Sequence, residues 1–185
     1  MRIREIMSTP AVTCRPGEPL EAAARLMWEC DCGVIPVIDD SGRLAGIVTD
    51  RDIAMAAWMK GRTLKEIPIA EAMARQVFTS RPDDSVEDAE RLMSGQQIRR
   101  LPVVDGDGHP IGVVSLGDIA RSTARAGDGA EKHVVHSLAE ISKPRKAEPS
   151  RGAEAFRATG APASMRAPSA PSAPSGGRRS TRPQV

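Results

Sequence analysis

Two stretches of this chain set a glycine, a hydroxyl and a carboxylate at one spacing: Gly46-x-x-Thr49-x-x-Asp52 and Gly112-x-x-Ser115-x-x-Asp118. In each, the apolar residues before the hydroxyl read as the end of a buried strand, and those after it as the start of a helix. Such a junction gathers unpaired backbone N–H groups at the positive end of a helix dipole, which favours a phosphate. A hydroxyl at the first polar position adds a donor. An Asp three residues on shares its helical face and can accept from the two hydroxyls of a ribose. Gly46 and Gly112 leave room for a close backbone approach. The competing interpretation is a capping box, which needs no ligand. A single occurrence favours the cap; a second one, after the same kind of buried hairpin, favours a nucleoside phosphate.

The two motifs belong to a longer repeat. Shifted by 66 residues, positions 6–54 and 72–120 agree at 18 of 49 places without a gap. Ile35-Pro36-Val37-Ile38-Asp39 returns as Leu101-Pro102-Val103-Val104-Asp105. Two copies are too few for a solenoid, which needs about three or more stacked repeats. They suit half-domains closing a shared core around a pseudo-two-fold axis. Each copy reads as strand, helix, strand, strand, helix, an α+β fold of two β-α-β-β-α units packed sheet to sheet. In the second copy Val77-Phe78-Thr79 reads as a short strand. Ser85 and Asp88 then open a helix whose stripe is Val86, Ala89, Leu92 and Met93. In the first, Pro19 falls in the first turn before Leu20, Ala23, Ala24 and Met27. The hairpins at 34–48 and 101–114 turn at Gly/Asp clusters and are continuously apolar, so both faces should be buried. Gly61 and Gly127 sit where a left-handed residue should end each second helix.

The expected boundaries are a first copy at 3–61, a connector at 62–68, a second copy at 69–126 and a short helix at 127–142. Val134, Val135, Leu138 and Ile141 should form that helix's apolar side. From 143 to 185 the composition is rich in Pro, Ala and Ser, with seven prolines in 43 residues. That segment should stay disordered, because it cannot repay its ordering entropy. Charge divides the same way: 17 basic against 22 acidic residues up to 142, then nine against two.

No apolar run approaches the roughly 20 residues that span a bilayer. The N-terminus lacks a secretory apolar stretch, so a cytoplasmic protein is expected. Three cysteines, Cys14, Cys30 and Cys32, argue against a disulfide framework and read as buried thiols packed as small hydrophobes. His133-x-x-His136 is a weak metal pattern, and no metal site is expected from it. Trp28 and Trp58 read as packing residues of core or interface. The basic tail could attract nucleic acid or anionic lipid, but without aromatic interleaving no specific readout is expected.

The Leu/Ile-Pro-Val-Val/Ile-Asp strand, the Gly-x-x-Thr/Ser-x-x-Asp-Ile junction and the apolar helices resemble, over residues 3–126, the tandem cystathionine-β-synthase (CBS) domain pair. This pair is also called a Bateman module, here of the stand-alone bacterial type. The resemblance implies two clefts between the sheets that bind adenosine ligands: AMP, ADP, ATP or S-adenosylmethionine, with no cofactor required. It assigns phosphate to Thr49 and Ser115 and ribose to Asp52 and Asp118. Adenine would lie against Val12, Thr13 and Ile35 in one half, and Phe78, Thr79 and Leu101 in the other. Arg99 and Arg100 precede Leu101-Pro102, where the first copy has Gly33-Val34, and are candidate phosphate contacts. Arg51, facing Gly117 in the other motif, is another. Two inequivalent sites are expected.

No residue set suggests catalysis, so the chain reads as a non-enzymatic, adenylate-sensing module acting on an unknown partner protein in trans. The family habit of dimerising through helices implies a homodimer, with Ala54, Ala57 and Trp58 at the contact. A ligand-free adaptor working through the basic tail is the rival hypothesis, and a non-specific nucleic-acid binder ranks below it.

Overall fold

The computed structural model describes residues 1–126 and 131–143. The expectations for Gly127 and for the tail from 144 onward lie outside those residues. Elements run in the order α1 (Leu20–Glu29), β1 (Val34–Ile38), β2 (Leu44–Thr49), α2 (Asp50–Lys60), α3 (Val86–Gln96), β3 (Arg100–Val104), β4 (Pro110–Ser115), α4 (Leu116–Ala126) and α5 (Glu131–Ile141). Single 3-10 turns at Ile3–Glu5 and Ile69–Glu71 precede each copy's first helix.

Local chemistry explains where the helices start. Pro19 is the N-cap of α1, so no donor is lost where its ring stands. The Ser85 hydroxyl oxygen accepts from the Asp88 N–H at the start of α3. Gly61 ends α2 at φ 58°, its N–H donating to the Ala57 carbonyl. The α1 face that turns inward is Leu20, Ala23 and Met27; on α3 it is Val86, Ala89 and Met93.

Each copy contributes one antiparallel hairpin in one register. Val34 faces Thr49 and Ile35 faces Val48; Arg100 faces Ser115 and Leu101 faces Val114. β1 and β3 are buried along most of their length, whereas β2 and β4 alternate between buried and half-buried residues. Continuous burial is thus true of the first strand of each hairpin only.

The expected opening strand of each copy is reduced to one parallel bridge, Cys14 with Val37 and Ser80 with Val103. Val77-Phe78-Thr79 forms no ladder of its own. Prolines account for part of this: Pro10, Pro16 and Pro82 carry no donor near the bridging residues.

The copies interlock. Ser8 exchanges two backbone hydrogen bonds with Val113 of β4, at 2.9 and 3.0 Å, and Ala74 exchanges two with Ile47 of β2, at 2.8 and 2.9 Å. The residues leading into each copy therefore pack into the other copy's core. Ile3 joins Val86, Met93, Leu101 and Ile119, while Ile67, Ile69 and Met73 join Leu20, Ile35 and Val48. The segment at 62–68, read as a connector, is part of the first core through its fully buried Ile67.

Helix α5 lies across α3 and α4. Its inward residues are Ser137 and Ile141, with Val134 partly buried; Val135 and Leu138 remain 66% and 49% exposed. The expected apolar stripe is therefore rotated, with Ser137 taking a place that Leu138 was expected to fill.

Candidate functional site

Both repeated motifs fold as strand-to-helix corners, and both are reciprocal capping boxes. Asp52 Oδ2 accepts from the Thr49 N–H (2.9 Å) and hydroxyl (2.7 Å), and Thr49 Oγ1 accepts from the Asp52 N–H (3.3 Å). Asp118 Oδ2 accepts from the Ser115 N–H (2.8 Å) and hydroxyl (2.6 Å), and Ser115 Oγ accepts from the Asp118 N–H (3.1 Å). The cap and the ligand site are therefore not exclusive: one oxygen of each carboxylate fixes the helix start, and the other remains for a further partner.

At the second corner that further partner is Arg121, one turn along α4, whose guanidinium is bonded to Asp118 Oδ1. Ser115, Asp118 and Arg121 open onto a cleft of about 360 Å³. Its opposite walls come from the first copy: residues 8–12, which run along β4, and residues 30–34, which link α1 to β1. Arg100 enters beside Ser115, its cross-strand neighbour in the hairpin register. Its guanidinium lies against Gly33: a methyl group there would sit 2.7 Å from Arg100 Nη2 and 3.0 Å from Asp50 Oδ2. Gly33 thus leaves room for the Arg100 guanidinium, which a larger residue would push aside.

Gly46 and Gly112 make their close approach to the protein's own backbone. A methyl group on Gly46 would lie 2.9 Å from the Ala74 carbonyl oxygen, and one on Gly112 2.8 Å from that of Ser8. These glycines admit the crossing segments of the interlock.

Of the other residues singled out by sequence, Ile35 and Leu101 are fully buried in the two cores and are not on the cleft wall. Phe78 packs against the second core. Thr13 and Thr79 are half-buried and stand outside this cleft, as do Thr49, Asp52 and the exposed Arg51. Arg99 is exposed, and its carbonyl accepts from the Leu116 N–H (2.9 Å). Val12 and Arg100 do line the cleft.

Sequence reasoning set the clefts between the two sheets but took the base contacts of each from a single copy, and so missed residues 8–11, 30–34 and Arg121. Arg121 was legible, being three residues past Asp118 and thus one turn along the same face. The crossed walls carry no local signal.

Only Cys14 is a buried thiol, and burial pushes it up to about 11. Cys32 is half-buried and packs against the first core, as expected of a packed thiol, whereas Cys30 is exposed and departs from that expectation; both line the cleft. The cause is local: α1 ends at Glu29, and Asp31 at φ 48° turns the chain outward. Trp28 is 88% exposed and Trp58 49%, so neither is a core residue. His133 and His136 are both exposed on α5. Asp105, Asp107 and His109 gather at the second hairpin turn. There Asp105 accepts the Asp107 and His109 N–H groups, as Asp39 accepts those of Ser41 and Arg43 in the first turn. The shared geometry accounts for the cluster as turn structure.

Comparison with known proteins adds the family context. The CBS domain profile matches residues 3–58 and 65–125. The CBS domain-containing protein YhcV of Bacillus subtilis is 40% identical over 118 residues, covering 64% of this chain and 82% of the relative. Homoserine O-acetyltransferases of Methanohalobium evestigatum, Methanococcoides burtonii, Methanohalophilus mahii and Methanosalsum zhilinae are 32–36% identical, and this chain spans only 23–24% of their length. Among solved structures, the CBS domain pair of protein MJ0100, in complex with 5′-methylthioadenosine and S-adenosyl-L-methionine, superposes with a TM-score of 0.61 at 30% identity, covering 66% of this chain and 99% of that one. The protein CBSX2 in complex with AMP superposes with a TM-score of 0.57 at 27% identity, over 68% and 98%. No helix among the described residues is long and apolar enough to cross a membrane.

Proposed function

The chain belongs to the CBS domain family, and from that premise we propose that it is an adenosine-nucleotide-binding regulatory module acting on a partner protein in trans. The observation that carries this reading is the cleft at the second corner. A helix N-terminus, a hydroxyl, a carboxylate and two arginines converge there on about 360 Å³ of space. A nucleotide uses all of them. Ser115 and the first N–H groups of α4 take phosphate with Arg100, Asp118 takes the ribose hydroxyls, and Val12 and Val34 supply an apolar wall for the base. Solved relatives hold adenosine compounds, namely 5′-methylthioadenosine with S-adenosylmethionine in one and AMP in another.

The first corner, Thr49 with Asp52 and Arg51, is the proposed second site, inequivalent because Val34 and Met55 stand where the second copy has Arg100 and Arg121. Walls drawn from both copies make the ligand a bridge between them. Binding shifts their arrangement to the extent that affinity differs between the two states, and the altered surface is what a partner reads. The chain is also proposed to pair with a second copy through the outer face of α1 and α2, where Met55, Trp58 and Met59 are exposed with Ala54 and Ala57 beside them.

The test is ligand-dependent melting. AMP, ADP, ATP and S-adenosylmethionine are titrated against the full chain, and a ligand at 100 times its Kd should stabilise it by about 2.7 kcal/mol. Asp118→Ala should destabilise the unliganded chain by about 1 kcal/mol, because a helix cap is lost, and so lower its melting point. It should also remove the part of the ligand shift that comes from the cleft at the second corner. No shift with any of the four compounds in the native chain defeats the reading and leaves the ligand-free adaptor.

A further inference from the structure

Arg121 holds the one oxygen of Asp118 that Ser115 leaves open. Oδ2 is taken by the Ser115 N–H and hydroxyl, and Oδ1 by the Arg121 guanidinium. The Asp118 side chain is 12% exposed and that of Arg121 67%, so the cation is the partner with solvent around it into which to swing. A ribose that gives both hydroxyls to Oδ1 fills its two lone pairs and so displaces the guanidinium. The first copy has no such competitor, because the residue one turn beyond Asp52 is Met55.

A displaced guanidinium, 67% exposed, can turn to water, but a phosphate in the cleft offers it a stronger partner. Arg100 already faces it from the neighbouring strand, lodged against Gly33. We propose, resting on the nucleotide-binding reading above, that Arg121 makes the second cleft select phosphorylated adenosine ligands, releasing Asp118 to the ribose and moving onto the phosphate. The planar guanidinium matches phosphate as well as carboxylate, so the exchange trades one charge-assisted contact for another. Adenosine offers no anion, so binding it breaks the ion pair without replacement. S-adenosylmethionine sets a sulfonium cation where a nucleotide has its first phosphate, and two arginines repel it. Arg121 is thus a specificity residue of one cleft and has no counterpart in the other.

The experiment is calorimetric titration of ATP, AMP, adenosine and S-adenosylmethionine into the full chain. All variants carry Asp52→Ala, so that only the second cleft is read. With Arg121 intact, ATP and AMP should bind more tightly than adenosine by about tenfold or more. Arg121→Met, which installs the first copy's residue at an exposed position, should shrink that preference to the part that Arg100, Ser115 and the α4 N–H groups supply, while binding adenosine as well or better. Arg121→Lys should recover part of it. Retention of the ATP-to-adenosine ratio in Arg121→Met, or tighter binding of S-adenosylmethionine than of ATP with Arg121 intact, overturns the proposal. The first of these leaves the nucleotide reading standing; the second leaves adenosine binding but moves the ligand from a nucleotide to S-adenosylmethionine. Absence of binding by all four compounds overturns both.

Discussion

Gly112 and Gly46 were singled out by sequence for a ligand's approach, yet each serves the meeting of two backbone segments. A side chain at Gly112 would come within 2.8 Å of the Ser8 carbonyl oxygen and 3.0 Å of Met7 Sδ. The sulfur can yield; the carbonyl is tied into the pair of bonds with Val113 and cannot. Gly112→Ala should therefore destabilise by about 1–3 kcal/mol, the usual cost of overpacking. Gly106→Ala, where nothing lies within 4 Å, should stay within about 0.5 kcal/mol. Urea unfolding of both variants checks this, and equal midpoints would remove the crossing from the account. The motif residues themselves were legible because hydroxyl and carboxylate three apart have few uses at a helix start. Their neighbours were not: Gly33 matters only because Arg100, 67 positions away, rests on it.

Among the elements, α5 is the one that breaks the internal symmetry. It covers α3 and α4, and its Ser137 hydroxyl lies 3.5 Å from Glu90 Oε1 on α3. Burial beneath α5 is the main cause that pushes the Glu90 carboxyl above its ordinary value. A carboxylate raised in the folded state costs stability when ionised, and that cost disappears as pH falls through its folded pKa. Glu90→Gln, which is always neutral, should thus raise the melting temperature at pH 7–8 and lose its advantage as the pH is lowered into the carboxylate range. A fixed difference at all pH values would contradict this. The helices could be read from the chain because caps and apolar spacing are local. The opening strands could not, since one bridge at Cys14 or Ser80 leaves no period to detect. The facing of α5 was misjudged by one position, because a buried serine with a partner looks polar in sequence.

For the whole molecule, the contrast between halves predicts how copies associate. The helix face of the second half lies under α5, whereas that of the first half presents Trp58 at 49% and Met59 at 57% exposure. Association should run through the first half, and Trp58→Ala should shift sedimentation toward the monomer at equal concentration. A native chain that sediments as a monomer at every concentration would dismiss the face as an interface. The 66-residue period revealed two halves but not that they are laced together, since pairing across copies leaves no trace in either copy's own pattern.

The lacing also constrains ancestry. A lone copy keeps its opening residues outside its own core, because here Ile3 serves the second core and Ile69 the first. Two separate single-copy polypeptides would reproduce this arrangement only by trading their leading arms, as domain-swapped twins. Joined end to end, the same trade becomes an internal matter, and neither arm can be trimmed without loosening the half it visits.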